Sequence, residues 1–224
     1  MPTNRKLVFL NDHIYHVYNR GVEKRSVYTS IREYRVFLQT SAYYQYQKVP
    51  TRFSRFETLP EIEQMAFFRN QNLAPKRIEL LAYCLMPNHF HFLIRQCVDT
   101  GITTFMNDLA NSYTRYFNTK HTRVGPLFQG TFKAVHIETD DQLVHVTRYI
   151  HINPYVSSLV SLGGLATYPW SSFMYYVTDA VSNMINPQPA LSLFPSREAY
   201  RQFVFDQTDY AKKLEEIKHL TYEE

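Results

Sequence analysis

Two histidines, His89 and His91, lie two residues apart in an apolar segment that is typical of a β-strand. Side chains alternate across a sheet, so both imidazoles are expected on one face, with Phe90, Phe92 and Ile94 on the other. Such a pair can supply two ligands to one metal ion. A pair of this kind also occurs without any metal, exposed to solvent or satisfied in a core, and its spacing alone leaves both interpretations open.

A tyrosine, Tyr149, lies in a predicted helix among other polar residues at helical spacing. These residues repeat every four positions and form one polar stripe, at Asp141, His145, Tyr149 and Asn153. A tyrosine hydroxyl can act as a nucleophile, and the amide oxygen of Asn153, one turn later, could reach the same metal ion. The alternatives are a tyrosine ring that fills the core and an asparagine that serves the turn before Pro154.

Five short segments between His13 and Tyr176 follow one another along the chain. They are Tyr15-His-Val-Tyr-Asn-Arg-Gly21, Tyr83-Cys-Leu-Met-Pro-Asn-His-Phe-His-Phe-Leu-Ile94, Pro126-Leu-Phe-Gln-Gly-Thr-Phe-Lys133, Arg148-Tyr-Ile-His-Ile-Asn-Pro154 and Tyr168-Pro-Trp-Ser-Ser-Phe173. Together they resemble the HUH single-tyrosine transposases, specifically the REP-associated tyrosine transposases. The second and fourth segments are the most specific, and the resemblance extends over most of the chain.

The resemblance implies a metal-dependent enzyme that cleaves and rejoins single-stranded hairpin DNA through a 5′-phosphotyrosine link, the chemistry of DNA transposition. It makes His89 and His91 the metal ligands and Tyr149 the nucleophile. Asn153 lies where the family supplies a third ligand from the nucleophile's own helix. Two imidazoles with a carboxamide favour Mg²⁺ or Mn²⁺ as the cofactor for phosphoryl chemistry.

Three cationic residues in the matching segments, Arg20, Lys133 and Arg148, are the expected phosphate contacts of a DNA substrate. Taken alone, each of them is more simply explained as an ordinary solvated charge. The sequence departs from the family pattern at Tyr155, where Val followed by a basic residue is more usual, and this affects DNA contacts just after the helix. The pattern assigns no general base: His145 could assist Tyr149 or simply be solvated.

The order of the predicted elements is that of a ferredoxin-like α+β fold. We expect an antiparallel sheet with helices on one face and an added catalytic helix. The predicted strands are His13–Asn19, Lys76–Leu85, His89–Gln96 and one within Leu127–Ile137, and the predicted helices are Thr29–Gln47, Ile102–Asn118 and Thr139–Asn153. Pro154 is expected to end the last of these helices.

The pattern divides the chain into a transposase domain over residues 1–176 and a helical extension over residues 177–224. Residues 49–74 read as an insertion between core elements, with a short amphipathic piece at Ile62–Phe68. In the extension, Ser196–Asp206 and Tyr210–Lys218 are predicted to be short helices.

The composition fits a soluble domain with an acidic partner but does not prove one. The chain has 224 residues and a net charge of +4, and many basic proteins bind no nucleic acid. Its 18 Tyr and 16 Phe could stack on unpaired bases, although aromatic rings also dominate cores. Cys84 and Cys97 form no metal-binding motif and are expected to be buried free thiols in a reducing cytoplasm. No apolar run is long enough to cross a bilayer, so no membrane association is expected, and the protein is expected to be a monomer or a homodimer.

Two other functions remain compatible with these patterns. The first is a domesticated, sequence-specific DNA-binding protein without cleavage activity, which would need none of His89, His91 and Tyr149. The second is a metal-dependent phosphohydrolase that uses water, which would leave no DNA linked to the protein. A covalent adduct distinguishes the transposase from both.

Overall fold

The computed structural model describes residues 7–70 and 74–206. Its four strands form one antiparallel sheet in the order β2-β3-β1-β4. The strands are β1 (Ile14–Arg20), β2 (Ile78–Met86), β3 (His89–Gln96) and β4 (Lys133–Ile137). The helices are α1 (Ile31–Tyr44), α2 (Phe53–Phe56), α3 (Glu61–Asn70), α4 (Gly101–Lys120), α5 (Asp140–Val156), α6 (Phe173–Val177), α7 (Gln188–Leu191) and α8 (Arg197–Phe205).

The ferredoxin-like α+β class predicted from the sequence is confirmed by this topology. Strand β1 and helix α1 are followed by the β2–β3 hairpin, helix α4 and strand β4, and β1 and β3 occupy the centre of the sheet. Helix α5 follows the last strand and is the added element that carries Tyr149.

One face of the sheet is covered by α1 and α4 through a cluster of aromatic side chains. The ring of Phe37 on α1 lies 5.2 Å from that of Phe90 and 6.0 Å from that of Phe92, both on β3. Tyr113 on α4 packs edge-on against Phe37 at 4.9 Å. These contacts fix which face of β3 is core, and the alternation of side chains then directs His89 and His91 to the opposite face.

Helix α5 packs against β2 and β3 and is in turn covered by α7 and α8. The buried side chain of His151 joins these elements, with its Nδ1 2.6 Å from the Tyr200 hydroxyl and its Nε2 2.8 Å from Ser172 Oγ. Burial lowers the pKa of His151 to about 3, so the ring is neutral. This network attaches the C-terminal helices to the helix that carries Tyr149.

The predicted insertion folds into two short helices, α2 and α3, and the amphipathic piece at Ile62–Phe68 lies within α3. Phe56 is buried, and the ring of Phe67 packs 5.0 Å from Phe56 and 5.1 Å from Tyr43 of α1. Helix α2 also forms one wall of a cavity of about 580 Å³ between α1 and α4.

The prediction that Pro154 ends the helix that carries Tyr149 was wrong, because α5 continues to Val156 with the proline in its last turn. At that position a proline removes a single helical hydrogen bond, and the backbone N–H of Ser157 still donates to the Asn153 carbonyl at 3.0 Å. The helix begins as expected, since the Thr139 hydroxyl accepts from the Gln142 N–H at 3.1 Å.

Three further expectations have mixed outcomes. Both cysteines are free thiols, but only Cys84 is fully buried and Cys97 is partly exposed at the end of β3. The helix predicted at Ser196–Asp206 is present as α8, whereas Tyr210–Lys218 lies outside the described residues. Among the helices described, none has the length and apolar character needed to cross a bilayer.

Candidate nucleophile and metal site

The candidate site lies on the sheet face under α5, at the ends of β1 and β3. In the antiparallel register Arg20 is opposite His89 and Tyr18 is opposite His91. Directly opposed residues share a face, so four side chains from two strands project toward α5. The two central strands therefore form a polar surface on the face opposite the aromatic cluster, and these four side chains are called the floor of the site.

The turn that carries His89 is fixed by the loop after β1. The Gly21 N–H donates to the Asn88 carbonyl at 2.8 Å, and the Val27 N–H donates to the Pro87 carbonyl at 2.8 Å. A Cβ at Gly21 would lie 2.4 Å from the Arg25 carbonyl oxygen, so this close approach requires glycine. These backbone contacts therefore fix the position of His89, in addition to the contacts of its side chain.

Tyr149 projects from α5 onto this floor. Its ring lies 5.3 Å from that of His91, nearly perpendicular to it, and 5.9 Å from that of His16. The residue is 46% exposed, whereas His91 is 5% exposed. The phenol ring therefore packs against a buried histidine and remains accessible to a substrate that arrives from solvent.

Asn153 occupies the next turn of α5 and completes the group. It is buried, its Nδ2 donates to the Tyr149 carbonyl at 3.3 Å, and its side chain hydrogen-bonds with His89. The structure thus brings together all four residues that the sequence placed in the reaction, from two elements far apart in the chain.

In each histidine of the pair, the Nδ1 nitrogen of the ring contacts a neighbouring side chain. His89 Nδ1 lies 2.6 Å from Asn88 Oδ1, an acceptor, so this nitrogen carries the proton. His91 Nδ1 lies 2.9 Å from His16 Nε2, while His91 Nε2 is buried with no partner among the described residues. A buried imidazole nitrogen without a partner is a costly arrangement unless a ligand uses it.

The electrostatics of the site keep both histidines neutral. Burial, assisted by the charge of Arg20, lowers the pKa of His89 to about 4. Burial, followed by the neighbouring His16, His89 and Arg20, holds the pKa of His91 well below its usual value. A neutral imidazole offers the lone pair that a metal ion requires.

The donor set fits a divalent ion held by two imidazoles and one amide. Among residues 7–70 and 74–206, no cluster of three His, Cys, Asp or Glu side chains could hold a metal. A third protein ligand to the pair would therefore be a donor of another type, and the side-chain amide oxygen of Asn153 is the candidate that the sequence predicted. Two neutral nitrogens and a carboxamide leave room for water and substrate oxygens, as Mg²⁺ and Mn²⁺ sites at phosphates commonly do.

The three predicted phosphate contacts occupy different surroundings. Arg20 is exposed at the end of β1 beside His89, and Lys133 is exposed on β4 opposite Tyr18. The guanidinium of Arg148 instead lies 4.2 Å from the ring centroid of Phe203 on α8 and donates to the Phe203 carbonyl at 3.4 Å. Arg20 and Lys133 therefore border the floor of the site, and Arg148 extends toward the C-terminal helix.

The possible general base, His145, has neighbours of its own on α5. Its Nδ1 accepts from Arg148 at 2.6 Å, and its Nε2 lies 3.4 Å from Asp141 Oδ1. Both contacts hold the ring along the exposed surface of the helix.

Two residues on this face of β1, His16 and Tyr18, were not singled out by the sequence patterns. Their rings lie 5.1 Å apart and each packs against His91, at 5.1 Å for His16 and 5.7 Å for Tyr18. A signal was present, because His16, Tyr18 and Arg20 alternate along β1 and must share one face. What the sequence does not contain is the pairing register that places this face beside His91.

Two comparisons with known proteins found similarity to transposases. A family model described as IS200-like transposase matches residues 44–153, a range that includes the histidine pair, Tyr149 and Asn153. A solved structure of a REP-associated tyrosine transposase bound to a REP hairpin is similar to this chain with a TM-score of 0.52 at 14% sequence identity. That similarity covers 83% of this chain and 94% of the solved one.

A second solved structure, the tRNA(His) guanylyltransferase of Saccharomyces cerevisiae, has a TM-score of 0.35 at 11% identity, covering 92% of this chain and 82% of that one. That score does not establish a shared fold. No curated protein matches the sequence.

The fold and the family match together define a class of protein, the transposases, which are enzymes that act on DNA. Within that class, the family match covers residues 44–153, about half of the chain, and the resemblance seen in the sequence is thereby confirmed.

Proposed function

We propose that this transposase cleaves and rejoins single-stranded, hairpin-bearing DNA, with Tyr149 as the nucleophile. The observation that carries the proposal is the position of the Tyr149 ring, half-exposed and 5.3 Å from the buried ring of His91. The hairpin substrate is supported by the solved relative of the same fold, which is bound to a REP hairpin.

In the proposed reaction, the Tyr149 oxygen attacks the scissile phosphorus in line with the leaving 3′ oxygen. The new bond joins tyrosine to the 5′ phosphate, the bond from phosphorus to the 3′ oxygen breaks, and the phenolic proton is lost as the 3′-hydroxyl is formed. One phosphodiester replaces another, so a later 3′-hydroxyl can attack the phosphotyrosine and restore a DNA strand. This reversibility is what strand transfer requires.

His89, His91 and Asn153 are proposed to hold Mg²⁺ or Mn²⁺ beside Tyr149. When bound, such an ion would polarise the phosphate and offset the negative charge that develops on it. The two imidazoles present unprotonated nitrogens, and the backbone anchors of the Asn88 turn keep the first of them in place. Arg20 and Lys133 would hold the phosphates that flank the scissile one.

We further propose that residues 1–176 form the catalytic domain and that the extension over 177–224 stabilises it through contacts with α5. The support for this division is the contact of Tyr200 with His151 and of Phe203 with Arg148, both of which are made to α5. On this view the extension holds the nucleophile's helix in place and takes no part in the reaction.

The test is a cleavage assay on a single-stranded hairpin with Mn²⁺, run with the label on either end of the strand. A 3′ label should migrate with the protein on a denaturing gel, while a 5′ label should appear on a free, shortened strand. Tyr149→Phe should abolish the adduct, because only the attacking oxygen is lost, and should leave hairpin binding unchanged. The matched variant Tyr155→Phe should form the adduct normally.

Other outcomes would identify other functions. Cleavage without an adduct under either label would indicate a hydrolase that uses water. Binding without cleavage would indicate a DNA-binding protein that has lost its chemistry. An adduct that persists in Tyr149→Phe and disappears in Tyr155→Phe would move the nucleophile to Tyr155.

A further inference from the structure

His16, a residue of β1 outside the metal ligand set, makes a direct side-chain contact with that set. It is buried, its Nε2 lies 2.9 Å from His91 Nδ1, and the two rings are stacked 5.1 Å apart. Two neutral imidazoles joined in this way share a single proton, so one ring must donate and the other accept. The direction of that bond decides what the far side of the His91 ring can do.

If His16 were the donor, a neutral His91 would carry its own proton on Nε2. That N–H would be buried with no acceptor among the described residues, and the nitrogen would have no lone pair to offer. If His91 donates from Nδ1, its Nε2 has a free lone pair on the side away from His16. Only the second arrangement leaves the buried nitrogen able to bind a ligand.

We infer that His16 is a positioning residue that accepts the His91 Nδ1 proton and presents His91 Nε2 to a divalent metal. The inference rests on the proposed function and adds one residue to it. His89 is held in the same manner, since its Nδ1 donates to Asn88 Oδ1 at 2.6 Å. Each histidine of the pair thus has its own acceptor, one from the turn and one from the neighbouring strand.

Hydrogen-bond acceptors behind metal-binding histidines fix the ring orientation and the tautomer, and their removal commonly weakens metal binding about 10- to 100-fold. His16 cannot join His91 Nε2 on the same ion, because it contacts the opposite edge of the ring. Its role is therefore to orient a ligand and not to be one.

The experiment measures Mn²⁺ affinity by calorimetry in two variants that are matched in size. His16→Leu fills the space without an acceptor, and His16→Gln places an amide oxygen near the position of the lost nitrogen. We expect affinity to fall about 10- to 100-fold in His16→Leu and to stay within about threefold of the wild type in His16→Gln. His13 is exposed and directly precedes the same strand, and the control variant His13→Gln should bind Mn²⁺ normally.

Nitrogen-15 shifts of the ring nitrogens in the metal-free wild-type protein provide a second readout that requires no variant to fold. They should show His91 protonated on Nδ1 in the wild type, and His16→Leu should populate both tautomers. Unchanged Mn²⁺ affinity in His16→Leu, or a wild-type His91 protonated on Nε2, would overturn the inference. Equal losses in the Leu and Gln variants would also overturn it, because they would show a ligand or a packing role.

The inference and the proposed metal site can fail separately. If the wild-type protein binds no Mn²⁺, the proposed metal site is wrong, and the presentation of His91 to a metal is wrong with it. The ring-nitrogen shifts then still decide whether His16 is the acceptor in its bond with His91. If the wild type binds Mn²⁺ and His16→Leu binds it equally well, the metal site stands and His16 has no part in it.

Discussion

The carboxylate of Glu33 is expected to make the folded protein sensitive to acid, because it joins the two helices that cover the core face of the sheet. Its carboxylate is fully buried in the first turn of α1 and accepts from Lys120 Nζ at 2.6 Å and from His121 Nε2 at 2.7 Å, at the end of α4. The backbone N–H and the hydroxyl of Thr29 donate to its other oxygen. We therefore expect Glu33→Gln to destabilise the fold without touching the candidate site.

The magnitude follows from the pKa of this carboxyl. Burial alone would raise it, but the hydrogen bonds from Lys120, Thr29 and His121 outweigh burial and lower the pKa from 4.5 to about 2. That difference corresponds to at most about 3 kcal/mol of folding free energy. Lys120 is 38% exposed and therefore screened, so we expect about 1 to 3 kcal/mol.

The sign follows from linkage. Because the folded-state pKa is depressed, the stabilisation is fully present above pH 4.5 and is lost as the pH falls from 4.5 toward 2. The wild-type protein should lose stability over this window. Glu33→Gln should start lower at pH 7 and follow a flatter curve through the same window, since the substituted group does not titrate.

Thermal and urea unfolding between pH 7 and pH 2.5 measure this directly. At pH 7 the melting temperature of Glu33→Gln should be lower by about 3 to 10 °C. Glu63→Gln, an exposed glutamate in the first turn of α3, is the matched control and should change stability by less than about 0.5 kcal/mol. Parallel acid-unfolding curves for the wild type and Glu33→Gln would refute the reasoning.

Three other predictions concern the site. His89→Ala and His91→Ala should each weaken Mn²⁺ binding in calorimetry by more than about tenfold and abolish cleavage, and unchanged affinity in both would exclude the metal site. Arg20→Gln and Lys133→Gln should each reduce the slope of log affinity against log salt by about 0.7 for single-stranded DNA, unlike the exposed Arg55→Gln. A hairpin should be cut and its fully paired duplex should not, because pairing hides the bases that must splay. Preferential cutting of the duplex in a side-by-side cleavage assay would overturn that substrate.

Much of the fold could be predicted because local periodicity carries the information, and the candidate site could be predicted because five segments resemble a known family. The spacing of His89 and His91 on a strand, and of Tyr149 and Asn153 on a helix, already determines which side chains share a face. The structure adds the distances between the strand pair and the helix pair. The position of α5 over β3 could be predicted only from the order of the elements, because that order specifies a ferredoxin-like sheet.

The features that the sequence did not predict depend on long-range contacts. His16 gains its role from the register of β1 against β3, which brings it 75 residues across the chain to His91. Arg148 lies in a matching segment, but its guanidinium packs against α8, an element that the motifs do not describe. Pro154 was misjudged for a local reason, because a proline in a last helical turn removes too little to end the helix.

The contrast in exposure within the site agrees with the division of labour that we propose. A metal ligand benefits from burial, since burial keeps His91 neutral and its neighbours fix the ring. A nucleophile for DNA must meet a phosphate that arrives from solvent, and Tyr149 is 46% exposed. One helix satisfies both demands because Asn153, one turn beyond Tyr149, is itself buried and lies beside His89. The His151 network on the far side of α5 then keeps this helix against the sheet, so that the exposed phenol stays near the buried histidines without being buried itself.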